Sequence, residues 1–124
     1  MIYAPCDPDR APMIERAQLQ QMFEEIAQSA GWDMSKPMLW GYFFTHTTRD
    51  ELETVAKTLA GEGYRVVEIR EDDDEPLFWL HVERVEAHSV DSLFERNATF
   101  YRLAEELGLE SYDGMDVGLP PPAN

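Results

Sequence analysis

The chain has 124 residues, 25 of them Asp or Glu against 10 Lys or Arg, for a formal net charge of −15. Charge of that sign repels phosphate backbones and anionic headgroups, which excludes direct nucleic-acid and membrane contact and favours a basic protein segment as partner. The length suits one domain with its own core. The single Cys6 offers no internal bridge, no Cys/His cluster has zinc spacing, and no apolar run approaches the roughly 20 residues of a membrane span. The expectation is a cytoplasmic protein without cofactor or metal.

Residues 1–11, with Pro5, Asp7, Pro8 and Asp9, show no period and read as an irregular leader. Pro12 can open a helical turn, and Leu19, Met22, Phe23, Ile26 and Ala30 recur at spacings of three and four, which predicts a helix over 12–31 ended by Gly31. Pro37 introduces residues 38–45, apolar on both alternating faces, the pattern of a central strand. Thr48-Arg49-Asp50-Glu51 has the form of a capping box and predicts a helix burying Leu52, Val55, Ala56 and Leu59, closed by Gly61 and Gly63. Residues 64–70 set Val67 and Ile69 against Glu68 and Arg70, a half-polar pattern that suits a sheet edge.

The acids Glu71, Asp72, Asp73, Asp74 and Glu75 then separate that strand from residues 77–82, a second central strand. Ser89 reads as the N-cap of a last helix with Val90, Leu93, Phe94, Phe100, Tyr101, Ala104 and Leu107 on its stripe, ended by Gly108, with Leu109 folding back. Residues 111–117 make a short strand interrupted by Gly114, and 118–124 form a Pro-rich tail.

After the first helix the order is strand, helix, strand, strand, helix, strand, the βαββαβ order of a ferredoxin-like α+β sandwich. One domain over 12–117 is expected, with an antiparallel-containing four-stranded sheet and an additional N-terminal helix. That fold puts its first and third strands in the middle, as their apolarity requires. Right-handed crossovers place both crossover helices on one side, leaving an opposite face. Alternation aims Trp79, His81 and Glu83 at that face, and the favoured register adds Trp40, Tyr42, Phe44 and His46 rather than Leu39, Gly41, Phe43 and Thr45.

Several groups are candidates for function. Glu71 to Glu75 read either as a recognition loop for Arg/Lys-rich protein or as a solvated hairpin; consecutive acids lack the alternating ligands of a calcium loop. Trp40, Tyr42, Phe44 and Trp79 form a candidate platform for a protein partner or a homo-oligomer, with burial under the first helix as the other reading; without surrounding Lys and Arg they do not suit base stacking. His46 and His81 become neighbours if the central strands pair, which supplies the alternative of a small-ligand or enzymatic site beside the open face. His88 invites the same metal or acid/base reading, against which two His without a placed third ligand or nucleophile read as structural; Asn97 and Arg102 are expected to bond loop backbone. Tyr112-Asp113-Gly114 reads either as a partner contact, with Asp113 as a candidate functional polar residue, or as an Asp-Gly turn anchored by Tyr112. No phosphate loop, nucleophile motif or HExxH element is present, so the reading is non-enzymatic.

Phe44-x-His46 before a helix, Gly63-Tyr64-x-Val66 after it, and Tyr101-x-Leu103-Ala104-Glu105-Glu106 followed by Tyr112-Asp113-Gly114 together resemble the RraB family, regulators of ribonuclease E activity. The resemblance spans about Met38 to Met115. It implies a ferredoxin-like sandwich with an extra N-terminal helix. It also implies a non-catalytic regulator that binds the scaffold region of ribonuclease E by protein contact and so modulates RNA decay.

Overall fold

The computed structural model describes the backbone of Ile2–Pro5 and residues 14–120. The expected positions of Cys6 and Pro12, the rest of the leader, and the last four residues of the tail lie outside the described residues. The elements are β1 (Ile2–Pro5), α1 (Arg16–Ser29), β2 (Met38–His46), α2 (Arg49–Gly61), β3 (Arg65–Glu71), β4 (Phe78–Glu86), α3 (Val90–Glu106) and β5 (Ser111–Gly118). From β2 onward they follow the expected βαββαβ order, and every strand pairing is antiparallel.

The sheet order is β1-β5-β2-β4-β3. The apolar β2 and β4 pair centrally and β3 is an edge, as its polarity requires. The leader, read as irregular, instead contributes a fifth strand, Ile2–Pro5, along the outer side of β5. Pairing with a free strand edge uses backbone groups, so a Pro-containing tetrapeptide with no side-chain period can still join it. β5 is thereby an interior strand, and Met115 and Val117 are fully buried.

The helices pack on one face. α2 buries Leu52, Val55, Ala56 and Leu59, the stripe read from sequence. α3 buries Leu93, Asn97, Phe100 and Ala104, while Leu107, expected inside, is 46 % exposed because the helix ends there and the chain turns away. Its N-terminus is capped as expected: the Ser89 hydroxyl accepts the Ser92 N–H and the Ser92 side chain reaches back. The Leu109 N–H then bonds the Ala104 carbonyl, folding Leu109 onto the last turn. At the end of α2, Gly63 takes φ +97°, a conformation that side chains rarely adopt, and the Tyr64 N–H returns to the Leu59 carbonyl. Tyr64 is thereby buried.

α1 begins at Arg16, with Glu15 as N-cap and Gln18 bonded back to it. It lies beside α3 on the helix face, burying Leu19 and Ile26 and stacking Phe23 on Trp40 at 6.0 Å. Ala30, the last residue of the expected stripe, is exposed.

The register of β2 corrects the favoured orientation. Tyr42 pairs with Val82 and Phe44 with Leu80, both of which face the helices, so Trp40, Tyr42 and Phe44 are buried at 0 % exposure beneath α1 and α3. A strand apolar on both sides leaves the choice of face to the packing, and here the larger aromatic set fills the helix-sheet interface. The other face instead carries Gly41, Phe43 and Thr45 beside Trp79, His81 and Glu83.

Candidate functional site

Of the four-residue aromatic platform, only Trp79 lies on the face away from the helices; Trp40, Tyr42 and Phe44 are core. Trp79 is joined there by Phe43, which stacks on His81 at 4.4 Å and meets Trp79 edge-on at 6.4 Å. The Arg70 guanidinium lies 5.8 Å from the Trp79 ring.

His46 and His81 do not meet. Their strands pair, but His46 stands opposite Phe78 and His81 opposite Phe43, three positions apart and on opposite faces. His46 is a clamp: its Nδ1 accepts the Glu110 N–H at 3.2 Å and its Nε2 contacts the Glu51 carboxylate. Glu51 therefore serves His46, and Thr48, correctly placed as N-cap of α2, makes no side-chain capping bond. The small-ligand or enzymatic alternative loses the residue pair on which it rested.

The acidic run is a built loop with an exposed tip. Asp72 accepts the N–H groups of Asp74 (3.0 Å) and Glu75 (2.7 Å) and the Trp79 indole N–H (2.7 Å), and its own N–H bonds the Leu77 carbonyl. The backbone bonds from Asp74 and Glu75 and the Trp79 bond hold the Asp72 carboxyl below its usual range. Asp72 thus has a structural task, whereas Asp73, Asp74 and Glu75 project into solvent.

Asp113 is the additional residue of a β-bulge: Phe44 pairs with Tyr112 and Phe43 with Gly114, whose φ is +123°. The Asp-Gly pair expected to make a turn therefore re-aims a continuous strand. Tyr112 is sent inward, where its hydroxyl donates to Asn97 Oδ1 at 2.6 Å. Asn97 was expected to bond loop backbone; its partner is a side chain.

Two polar groups were missed. Glu86, Arg96, Tyr42, His88 and Ser92 form a network beneath α3: Arg96 and the Tyr42 hydroxyl donate to Glu86 Oε2 at 2.7 and 2.9 Å, and His88 bridges Tyr42 (3.0 Å) to Ser92 (2.9 Å). Every proton is used if Ser92 donates to His88, His88 to Tyr42 and Tyr42 to Glu86. Burial works to raise the Glu86 pKa, but the His88 ring 3.5 Å away and the hydrogen bonds from Arg96 and Tyr42 outweigh it and hold it at about 2. Nothing in sequence spacing links a strand end to a helix ten residues later, although Glu86 shares the helix-facing parity of Leu80 and Val82.

The second group lies on the other face. Asp116 is 7 % exposed, its Oδ1 and the His81 Nε2 are buried without hydrogen-bond partners among the described residues, and burial raises the Asp116 pKa against the pull of His81. Both atoms crowd Gly41, where a Cβ would sit 2.2 Å from Asp116 Oδ1 and 2.7 Å from His81 Nε2. Gly41→Ala is expected to displace both side chains and cost about 1–3 kcal/mol, measured by urea unfolding. In an Asp116→Ala background part of that cost should vanish, the His81 contact remaining; an unchanged cost would show that the Asp116 contact is not the crowding.

Fold and surface together define a ferredoxin-like α+β domain with an acid-rich exterior. No helix among the described residues is long and apolar enough to cross a membrane, and no group of three or more of their His, Cys, Asp and Glu side chains is placed to hold a metal. The chain belongs to the family RraB, regulator of ribonuclease activity B, whose model matches residues 16–117. That family is regulatory and non-catalytic. No curated protein matches the chain.

Proposed function

We propose that the protein regulates an RNA-processing ribonuclease by direct contact with a basic segment of that enzyme, with the Arg-rich scaffold of ribonuclease E as the leading partner. The carrying observation is how charge is distributed on the described surface. Arg16, Arg49, Arg65, Arg70 and Arg96 are engaged by the chain's own acids, whereas Asp73, Asp74 and Glu75 stand exposed at the tip of a loop that Asp72 holds in shape. A cationic partner therefore meets excess carboxylate, and a phosphate backbone meets repulsion. His46 and His81 lie on opposite faces of the sheet and share no site.

Titration of the full chain with purified ribonuclease E scaffold tests the proposal. Affinity should fall by about tenfold or more between low and high ionic strength. Replacing Asp73, Asp74 and Glu75 with Lys, leaving Asp72 intact, should weaken it further without lowering the melting temperature. Absence of association at low salt would eliminate this partner.

A further inference from the structure

We infer that a groove at one end of the sheet is the docking site for an apolar anchor carried within that basic segment. β2 ends, β5 begins and β4 starts at this end, and α3 finishes above it. Together they enclose about 640 Å³, large enough for one or two side chains. The inference rests on the proposed basic protein partner and adds where it docks and what it must carry.

Trp79, Ala104 and Leu109 supply apolar wall, and the exposed charged residues lining the groove among the described residues, Glu105 and Glu110, are both acids. Leu77 and Trp79 also line it, so the groove is continuous with the acidic loop, whose Asp72 fixes the Trp79 indole. His46 secures another wall by holding the Glu110 N–H. An apolar floor within an acidic rim complements an aliphatic or aromatic side chain flanked by Arg or Lys. A second copy of this chain, at −15, brings like charge to the same rim, and a nucleic acid brings phosphates.

The test uses the full chain and two synthetic peptides of equal charge, one with two leucines among six arginines and one with two glycines in their place. The leucine peptide should bind at least about tenfold more tightly, the effect of burying one such side chain. It should also shift the methyl NMR signals of Ala104 and Leu109. Glu105→Lys with Glu110→Lys should weaken it about tenfold. Glu24→Lys with Glu25→Lys, the same change of charge on exposed α1 positions outside the groove, should weaken it less than about threefold.

Equal binding of the two peptides, equal effects of the two double variants, or shifts that bypass Ala104 and Leu109 would overturn the groove. Circular dichroism of each variant confirms that the fold persists. Two further outcomes separate the groove from the proposed partner. If the ribonuclease scaffold binds but Glu105→Lys with Glu110→Lys acts no more strongly than the α1 pair, the groove fails and the partner stands. If the leucine peptide passes every test but the scaffold does not bind, the groove stands and the partner fails.

Discussion

Phe100→Ala should lower the unfolding free energy by about 4 kcal/mol, the middle of the range for truncating a buried aromatic. Phe100 is 2 % exposed and its ring lies 5.0 Å from Tyr42, 5.2 Å from Phe44, 5.7 Å from Tyr64 and 5.4 Å from Tyr112. Those four rings come from two interior strands and the end of α2, so the deletion opens a cavity where three elements meet. Relaxation is limited because Tyr42 and Tyr112 are held by hydrogen bonds to Glu86 and Asn97. In a domain of this size the loss corresponds to a melting point lower by about 15 °C. Phe100→Leu, which refills most of the space, should cost about 1–1.5 kcal/mol. A Phe100→Ala cost below about 1.5 kcal/mol would mean that the aromatic cluster is not the centre of the core.

Glu86 makes acid stability depend on one network. Its pKa falls from 4.5 to about 2 in the fold, so the folded state binds fewer protons than the unfolded state between those values. The stabilisation is therefore fully present above pH 4.5 and disappears as pH falls toward 2. The shift corresponds to about 3 kcal/mol, reduced to about 2 kcal/mol for solvent screening of a partly exposed group. Glu86→Gln should accordingly unfold about 2 kcal/mol more easily than wild type at pH 7 and match it near pH 2. The difference between the two proteins is the quantity to measure, since protonating 25 acids also relieves general repulsion.

Arg96→Ala leaves the same carboxylate half-buried with one donor fewer. It should cost about 2–3 kcal/mol at neutral pH and flatten the pH dependence. Parallel urea titrations of wild type and Arg96→Ala from pH 7 to pH 2 that kept a constant separation would refute the network's role.

The βαββαβ order, the central pair of strands, the edge character of β3 and the stripe of α2 were all legible in the sequence. Each follows from a local property: apolar period, a capping residue or a glycine at a helix end. The candidate surface was legible in part. Glu71 to Glu75 are recognisable as a loop by composition alone, but the division between Asp72, which shapes the loop and holds Trp79, and the exposed Asp73, Asp74 and Glu75 depends on hydrogen bonds that no spacing reveals. The groove walls were not legible, because Trp79, Leu109 and Glu110 meet only where three separate chain segments end.

Which side of β2 faced the helices lay beyond sequence reading for a definite physical reason. Residues 38–45 are apolar on both faces, so alternation is satisfied by either orientation, and only the volume beneath α1 and α3 chose Trp40, Tyr42 and Phe44 over Leu39, Gly41 and Phe43. The same choice separated His46 from His81, buried Asp116 over Gly41 and left Trp79 on the outer face. By itself the sequence determined the elements from α1 to β5, the order in which they connect, and the acidic character of the chain, but not the strand β1. Tertiary structure alone decided which aromatics are core, which acids of the 71–75 run are exposed, and where the groove at the sheet end lies, since each depends on contacts between residues far apart in the chain.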